Sequence, residues 1–259
     1  MRIAPIIVTL LLFAWVAGAA EVQVPTGFLN KTTGEGDATR KYVVYVPTDY
    51  TAEKAWPMIV FLHGAGERGD DGLVQAGTGI GAAIRKNPAR FPAIVVMPQC
   101  PKDQFWDASI PAIEWAMEQT LAEYNVDPKR VTLTGLSMGG YMIWLWGAQK
   151  VDTFAAFAPI CGGGALEDIR GLLGTEKTAV DFGDLDTRAK ALSTRPIWAF
   201  HGAKDSVVSV KRSQDMVARV KAAGGNVQYT EYPKLDHNSW DETYGNAAVI
   251  AWLLGQRLP

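Results

Sequence analysis

The stretch Val131-Thr132-Leu133-Thr134-Gly135-Leu136-Ser137-Met138-Gly139-Gly140 constrains what this chain can fold into more than any other. A short β-branched run passes directly into Gly-x-Ser-x-Gly and then into a helix-forming segment: a strand, a sharp turn and a helix, with a serine at the apex. Such a turn holds its serine in a strained backbone conformation. The residues two before and two after it must therefore be small enough for strand and helix to approach. Gly135 and Gly139 meet that demand, and Ser137 is left displayed as a candidate nucleophile.

A displayed serine needs a framework large enough to hold its partners. With 259 residues, 48% of them apolar and 20% charged, the chain can build one large core and reads as a single α/β domain. A formal charge of −2 leaves no electrostatic footprint for nucleic acid, and no basic run suggests an anionic membrane surface. At the N-terminus, Arg2 precedes the apolar run Ile3 to Val16 and the small residues Ala17-Gly18-Ala19-Ala20, the three-part pattern of a secretory leader. The run is shorter than the roughly 20 residues of a spanning helix, so no stable membrane span is expected. Residues 1–20 read as a leader and 21–259 as the domain, exported to the periplasm or the outside of the cell. Export invites a disulfide between Cys100 and Cys161, but if they follow the fourth and sixth strands, about three strand spacings of 4.8 Å separate them. That favours two free thiols.

Along the chain, Lys41 to Val46 alternates and stops at Pro47, which predicts an early, half-exposed strand. Met58 to Leu62 is continuously apolar and predicts a buried parallel strand running into His63-Gly64-Ala65-Gly66-Glu67-Arg68-Gly69. A strand ending in His-Gly and small residues suits an oxyanion loop, because backbone N–H groups can face developing negative charge with no side chain in the way. Ala65 is the candidate for one donor, with Gly66 beside it, and Met138, just after the nucleophile, for the other. Helices are predicted over Gly77 to Arg85, Ser109 to Tyr124, Val207 to Lys221 and Asn246 to Leu254. The elbow helix continues through Trp146, and strands are predicted at Phe91 to Met97, Phe154 to Ile160, Arg195 to Phe200 and Val227 to Tyr232. Residues 162–191 have weak periodicity and read as a small cap or excursion over the site, or as a plain surface helix and loop.

A serine hydroxyl needs a base in hydrogen-bond reach and an acid to orient that base. The chain has three histidines. His63 lies in the candidate oxyanion loop and reads as structural there. His201 ends a strand, and His237 follows the last one. The order serine, acid, histidine at successive strand exits selects Asp205 and His237. Asp184 and Asp186 fall in the excursion, and Asp236 is adjacent to the histidine it would have to orient. Trp106 and Trp240, in loops beside the expected site, are candidate pocket walls together with Gly66. Glu67 and Arg68 are a candidate pair fixing the oxyanion loop.

Taken together, His63 to Gly69, Pro98-Gln99-Cys100-Pro101, Gly135 to Gly139, His201-Gly202-Ala203-Lys204-Asp205 and His237-Asn238-Ser239-Trp240 resemble secreted carboxylesterases of the α/β-hydrolase superfamily. That group includes phospholipase/carboxylesterases, feruloyl esterases and polyhydroxyalkanoate depolymerases, and is often called prolyl-oligopeptidase-like. The likeness covers about Tyr42 to Leu254; Gly164 to Leu192 departs from it by being longer. It implies an α/β-hydrolase fold with a Ser137, Asp205 and His237 triad, no metal or organic cofactor, and a small-molecule or polymer ester as substrate. A serine peptidase, an acyltransferase and a catalytically silent binding protein are the alternatives on the same fold.

Overall fold

The computed structural model of the chain describes residues 24–34, 39–174 and 180–259. The expected leader, residues 1–20, lies outside them. Within the described residues, eight strands form one sheet: β1 (Gly27–Thr33), β2 (Arg40–Val46), β3 (Trp56–Leu62), β4 (Ile94–Pro98), β5 (Val126–Leu136), β6 (Ala156–Ile160), β7 (Ile197–Gly202) and β8 (Val227–Tyr232). Their order across the sheet is β1-β2-β4-β3-β5-β6-β7-β8. The pairs β1–β2 and β2–β4 are antiparallel and the rest parallel.

The continuous apolar runs follow from this architecture, because side chains along a strand alternate between faces and here both faces are covered. In β3, Met58, Val60 and Leu62 enter one core while Ile59 and Phe61 enter the other. Ile94 and Val96 of β4 face the first, Val95 and Met97 the second. The first core is closed by α2 (Ile110–Glu123), α3 (Met138–Gln149) and α6 (Lys211–Ala222), through residues such as Ile113, Met142 and Val220. The second is closed by α1 (Ile80–Lys86), α7 (Trp240–Gly245) and α8 (Ala247–Gly255), through Ile84, Tyr244 and Ile250.

Several elements differ from the sequence reading. β1, Gly-Phe-Leu-Asn-Lys-Thr-Thr, has no apolar run because it is an edge strand, and the sequence reading missed it. Its presence makes β2 an interior strand, so Tyr42 to Val46 are buried rather than half exposed. α1 starts at Ile80, later than expected, because Val74–Gly77 forms a 3₁₀ turn and Gly79 breaks the chain with φ +57°. The segment 162–191 contains α4 (Leu166–Leu173) and α5 (Leu185–Leu192). Ile169, Phe182, Ala189 and Leu192 are buried in the first core, so these helices extend the main body. Arg188 ties the segment down by donating to the Gly164 carbonyl at 2.8 Å. Cys100 and Cys161 are both buried and free, on strand exits separated by β3 and β5.

Candidate active site

Parallel strands β3, β5, β6 and β7 all end on one edge of the sheet, and the candidate site is assembled there. β5 ends at Leu136, α3 starts at Met138, and Ser137 between them has φ +50°. Close packing of backbone explains the glycines. A Cβ on Gly135 would lie 2.7 Å from the Leu62 carbonyl oxygen, and one on Gly139 would lie 2.0 Å from the same atom. Gly140 is under equal pressure, with 2.3 Å to the Ile160 oxygen, a requirement the sequence reading did not extract. Ser137 N–H donates to Ile160 O at 2.9 Å, and Tyr141 N–H to Ser137 O at 2.9 Å, locking the turn from both sides. Ser137 is only 8% exposed.

His237 reaches Ser137 from the loop after β8, its Nε2 lying 3.0 Å from Oγ. Its Nδ1 is 2.7 Å from Asp205 Oδ2, from the loop after β7. Oδ1 of Asp205 accepts from the N–H groups of Val207 and Val208 at 2.9 and 2.8 Å. Burial alone would raise the Asp205 carboxyl, yet donors from His201, His237 and Val208 outweigh it and hold the acid well below the usual carboxylate range. Asp205 is therefore an anion throughout the neutral range.

The rival acids have other work. Asp236 Oδ1 accepts from Ser206 N–H at 2.7 Å, Ser206 O–H at 2.9 Å and its neighbour His237 N–H at 2.8 Å, strapping the Asp205 loop to the His237 loop. Asp184 caps α5 by accepting from Thr187 N–H at 2.7 Å, and Asp186 pairs with Arg219. Sequence order alone carried no signal for the Asp236 strap.

The loop after β3 lies against the nucleophile: a Cβ on Gly64 would be 3.6 Å from Ser137 Cβ and 2.8 Å from Leu136 Cδ1. Ala65 begins the 3₁₀ turn Ala65–Glu67, and Met138 begins α3. Both N–H groups stand at helix starts, where a first-turn donor has no intrahelical acceptor and can serve an anion. Gly66 is exposed, with open space where a Cβ would be. Glu67 and Arg68 do not pair as expected; each braces the loop separately. Glu67 Oε2 accepts from Gly64 N–H at 3.0 Å, while Arg68 donates to Ala65 O at 3.1 Å and Gln104 O at 3.2 Å.

Beneath this loop, Cys100 N–H donates to His63 Nε2 at 3.0 Å, so Nδ1 carries the proton and donates to Gly64 O at 2.6 Å. Trp106 requires a correction to the sequence reading. It is fully buried, its Nε1–H donates to His63 O at 3.1 Å and its ring lies tilted by 56° to that of His63 with centroids 4.6 Å apart, so it buttresses the loop and cannot form a pocket wall. The His63 carbonyl satisfies the indole N–H, which lets the whole ring be buried. Trp240 is partly exposed, its ring edge-on to His237 at 5.5 Å.

Burial drives the His63 imidazole down to about 4 from 6.5. The folded state then binds fewer protons than the unfolded chain below pH 6.5, so this stabilisation is complete above 6.5 and is lost as pH falls towards 4. Unfolding free energy is expected to drop by about 3 kcal/mol across that window, with Asp205 adding a further loss below it. Urea titrations at pH 7, 5.5 and 4 measure the drop, and His63→Gln should make it shallower.

Among the described residues, Cys161, Asp205 and His237 group three metal-ligating atoms within 4.8 Å of one another. Asp205 and His237 are bonded to each other there, and burial pushes the Cys161 thiol far up, so it is held neutral. That donor set does not favour a cation.

The geometry has relatives. The sequence profile of the dienelactone hydrolase family matches residues 93–249, more than half the chain. A feruloyl esterase B of Piromyces equi is 26% identical over 211 residues, covering 76% of this chain and 35% of the relative. The crystal structure of a thermostable esterase is 32% identical with a TM-score of 0.75, covering 89% of this chain and 63% of the other. A CE1 ferulic acid esterase of Anaeromyces mucronatus shares the fold at 18% identity, TM-score 0.62, over 90% of this chain and 92% of the other. The chain spans about a third or less of the length of the curated relatives it matches. The chain belongs to the dienelactone hydrolase family of α/β-hydrolase enzymes.

Proposed function

We propose that the chain is an exported serine carboxylesterase that works through an acyl-enzyme on Ser137. The observation that carries this reading is the relay of 3.0 Å from Ser137 Oγ to His237 Nε2 and 2.7 Å from His237 Nδ1 to Asp205 Oδ2. His237 takes the hydroxyl proton as Oγ attacks the ester carbonyl and returns it to the leaving alcohol. Asp205 stabilises the imidazolium, and the N–H groups of Met138 and Ala65 hold the oxyanion. Water, deprotonated by the same imidazole, then releases the acid and regenerates Ser137. Export rests on the leader pattern of residues 1–20; no helix among the described residues is long and apolar enough to cross a membrane. An N-terminus near Glu21 on the protein recovered outside the cytoplasm would support it, and a protein retained in the cytoplasm with Met1 intact would refute it.

The test of the chemistry is fluorophosphonate labelling of Ser137 together with turnover of p-nitrophenyl acetate, compared with a chromogenic peptide. Peptide cleavage exceeding ester cleavage would refute the esterase reading, and labelling without either would favour transfer to another acceptor. The aromatic edge of Trp240 beside His237 supports an aryl-containing substrate such as a feruloyl ester, in keeping with the two ferulic acid esterase relatives. Trp240→Ala is expected to raise KM for methyl ferulate about tenfold, with kcat little changed, because the lost contact acts on bound substrate before chemistry. Equal KM values for the two proteins would remove Trp240 from the pocket.

A further inference from the structure

Asp205 Oδ2 serves two imidazoles. Besides His237 Nδ1 at 2.7 Å, it lies 3.0 Å from Nε2 of His201, a fully buried residue near the end of β7. Nε2 of His201 faces acceptors alone, the Val208 carbonyl at 2.9 Å and the Asp205 carboxylate, so it carries a proton in either charge state. Nδ1 is 2.7 Å from Ser213 Oγ, which is itself 2.9 Å from Gly162 O. The single Ser213 proton goes to Gly162 O when Nδ1 is protonated, and to Nδ1 when it is not. In both arrangements His201 Nε2–H is shared between the Val208 carbonyl and the Asp205 carboxylate.

We propose that His201 is a positioning residue of the reaction: its N–H fixes the Asp205 oxygen that His237 uses and tempers that oxygen's basicity. The proposal rests on the triad reading above. With one donor gone, the carboxylate can turn about its Cβ–Cγ bond, and its full charge falls on His237. The same network also reaches the nucleophile. Ser213 binds Gly162, whose backbone packs against α3 so closely that a Cβ on it would lie 2.4 Å from the Gly140 carbonyl carbon. Acid and elbow are thus referenced to one buried ring.

The test compares His201→Leu, which removes the donor, with His201→Gln, whose side-chain amide can place an N–H near the Nε2 position. Turnover of p-nitrophenyl acetate is followed from pH 5 to 9, with Tm for each variant. His201→Leu is expected to lower kcat about 10- to 100-fold with KM within about twofold, and to move the acid limb of kcat/KM to higher pH. His201→Gln should recover kcat to within about fivefold of the parent and restore the limb. The other ionisable groups that feel Asp205, namely Tyr141, Cys161 and Asp236, are the same in both variants. Parental kcat and pH profile in folded His201→Leu would overturn the proposal. So would folded His201→Gln showing a loss as large as the leucine variant's, or, where the leucine variant does not fold, a loss beyond fivefold. Failure of the triad reading looks different: Ser137→Ala and His237→Ala would then keep turnover whatever stands at 201.

Discussion

Replacing Ser137 by Ala is expected to reduce kcat/KM for p-nitrophenyl acetate by about 10⁴- to 10⁶-fold while leaving the fold in place. The substitution deletes the Oγ that lies 3.0 Å from His237 and nothing that supports the turn, since the Ser137 backbone bonds to Ile160 and Tyr141 remain. Alanine carries the same Cβ through the φ +50° conformation, so no new backbone strain arises. Residual activity would come from the oxyanion donors and binding alone. Tm within a few degrees of the parent, together with lost fluorophosphonate labelling, would place the defect in chemistry. Turnover close to the parent's would end the serine-nucleophile reading.

The second large effect concerns the fold beneath that chemistry. Gly139→Ala introduces a Cβ 2.0 Å from Leu62 O and 2.5 Å from Leu62 C, atoms of a strand locked between β4 and β5. Nothing nearby is a flexible side-chain end, so the strand or the elbow must move. The expected cost is about 3 kcal/mol of stability, read as a lower urea midpoint, with activity reduced in whatever folds. Gly66→Ala, by contrast, meets open space and should be close to neutral for stability. A neutral Gly139→Ala would refute the close packing of the elbow against β3.

Much of the sheet was legible because its signals are local. Continuous apolar runs located β3, β4, β6 and β7, and the Gly-x-Ser-x-Gly stretch located the turn between β5 and α3. Strand exits ordered Ser137, Asp205 and His237, and the structure brings these three side chains together. What escaped depends on the third dimension. β1 is polar because one of its edges meets solvent, and β2 looked half exposed until β1 covered it. Trp106 sits in a loop beside the site in sequence, yet its N–H is spent on His63 O and its ring is buried. In sequence, His201 and Asp236 stand as rival catalytic residues, whereas in the fold one lies 3.0 Å from the acid and the other straps the loops. No linear pattern distinguishes a side chain that performs a step from one that holds its neighbour.

The carbonyl of Leu62 touches the positions of both Gly135 and Gly139, which welds the strand leading into the oxyanion loop to the nucleophile turn. The loops that carry Asp205 and His237 are strapped together by Asp236, and the two side chains bond each other directly. The machinery thus has two halves, one gripping the carbonyl and one handling the proton, joined at the imidazole–hydroxyl contact and, behind it, through His201, Ser213 and Gly162. Substitutions far out along β7 or β8 that tilt the second half by a fraction of an ångström will therefore spoil proton transfer while the grip on substrate survives.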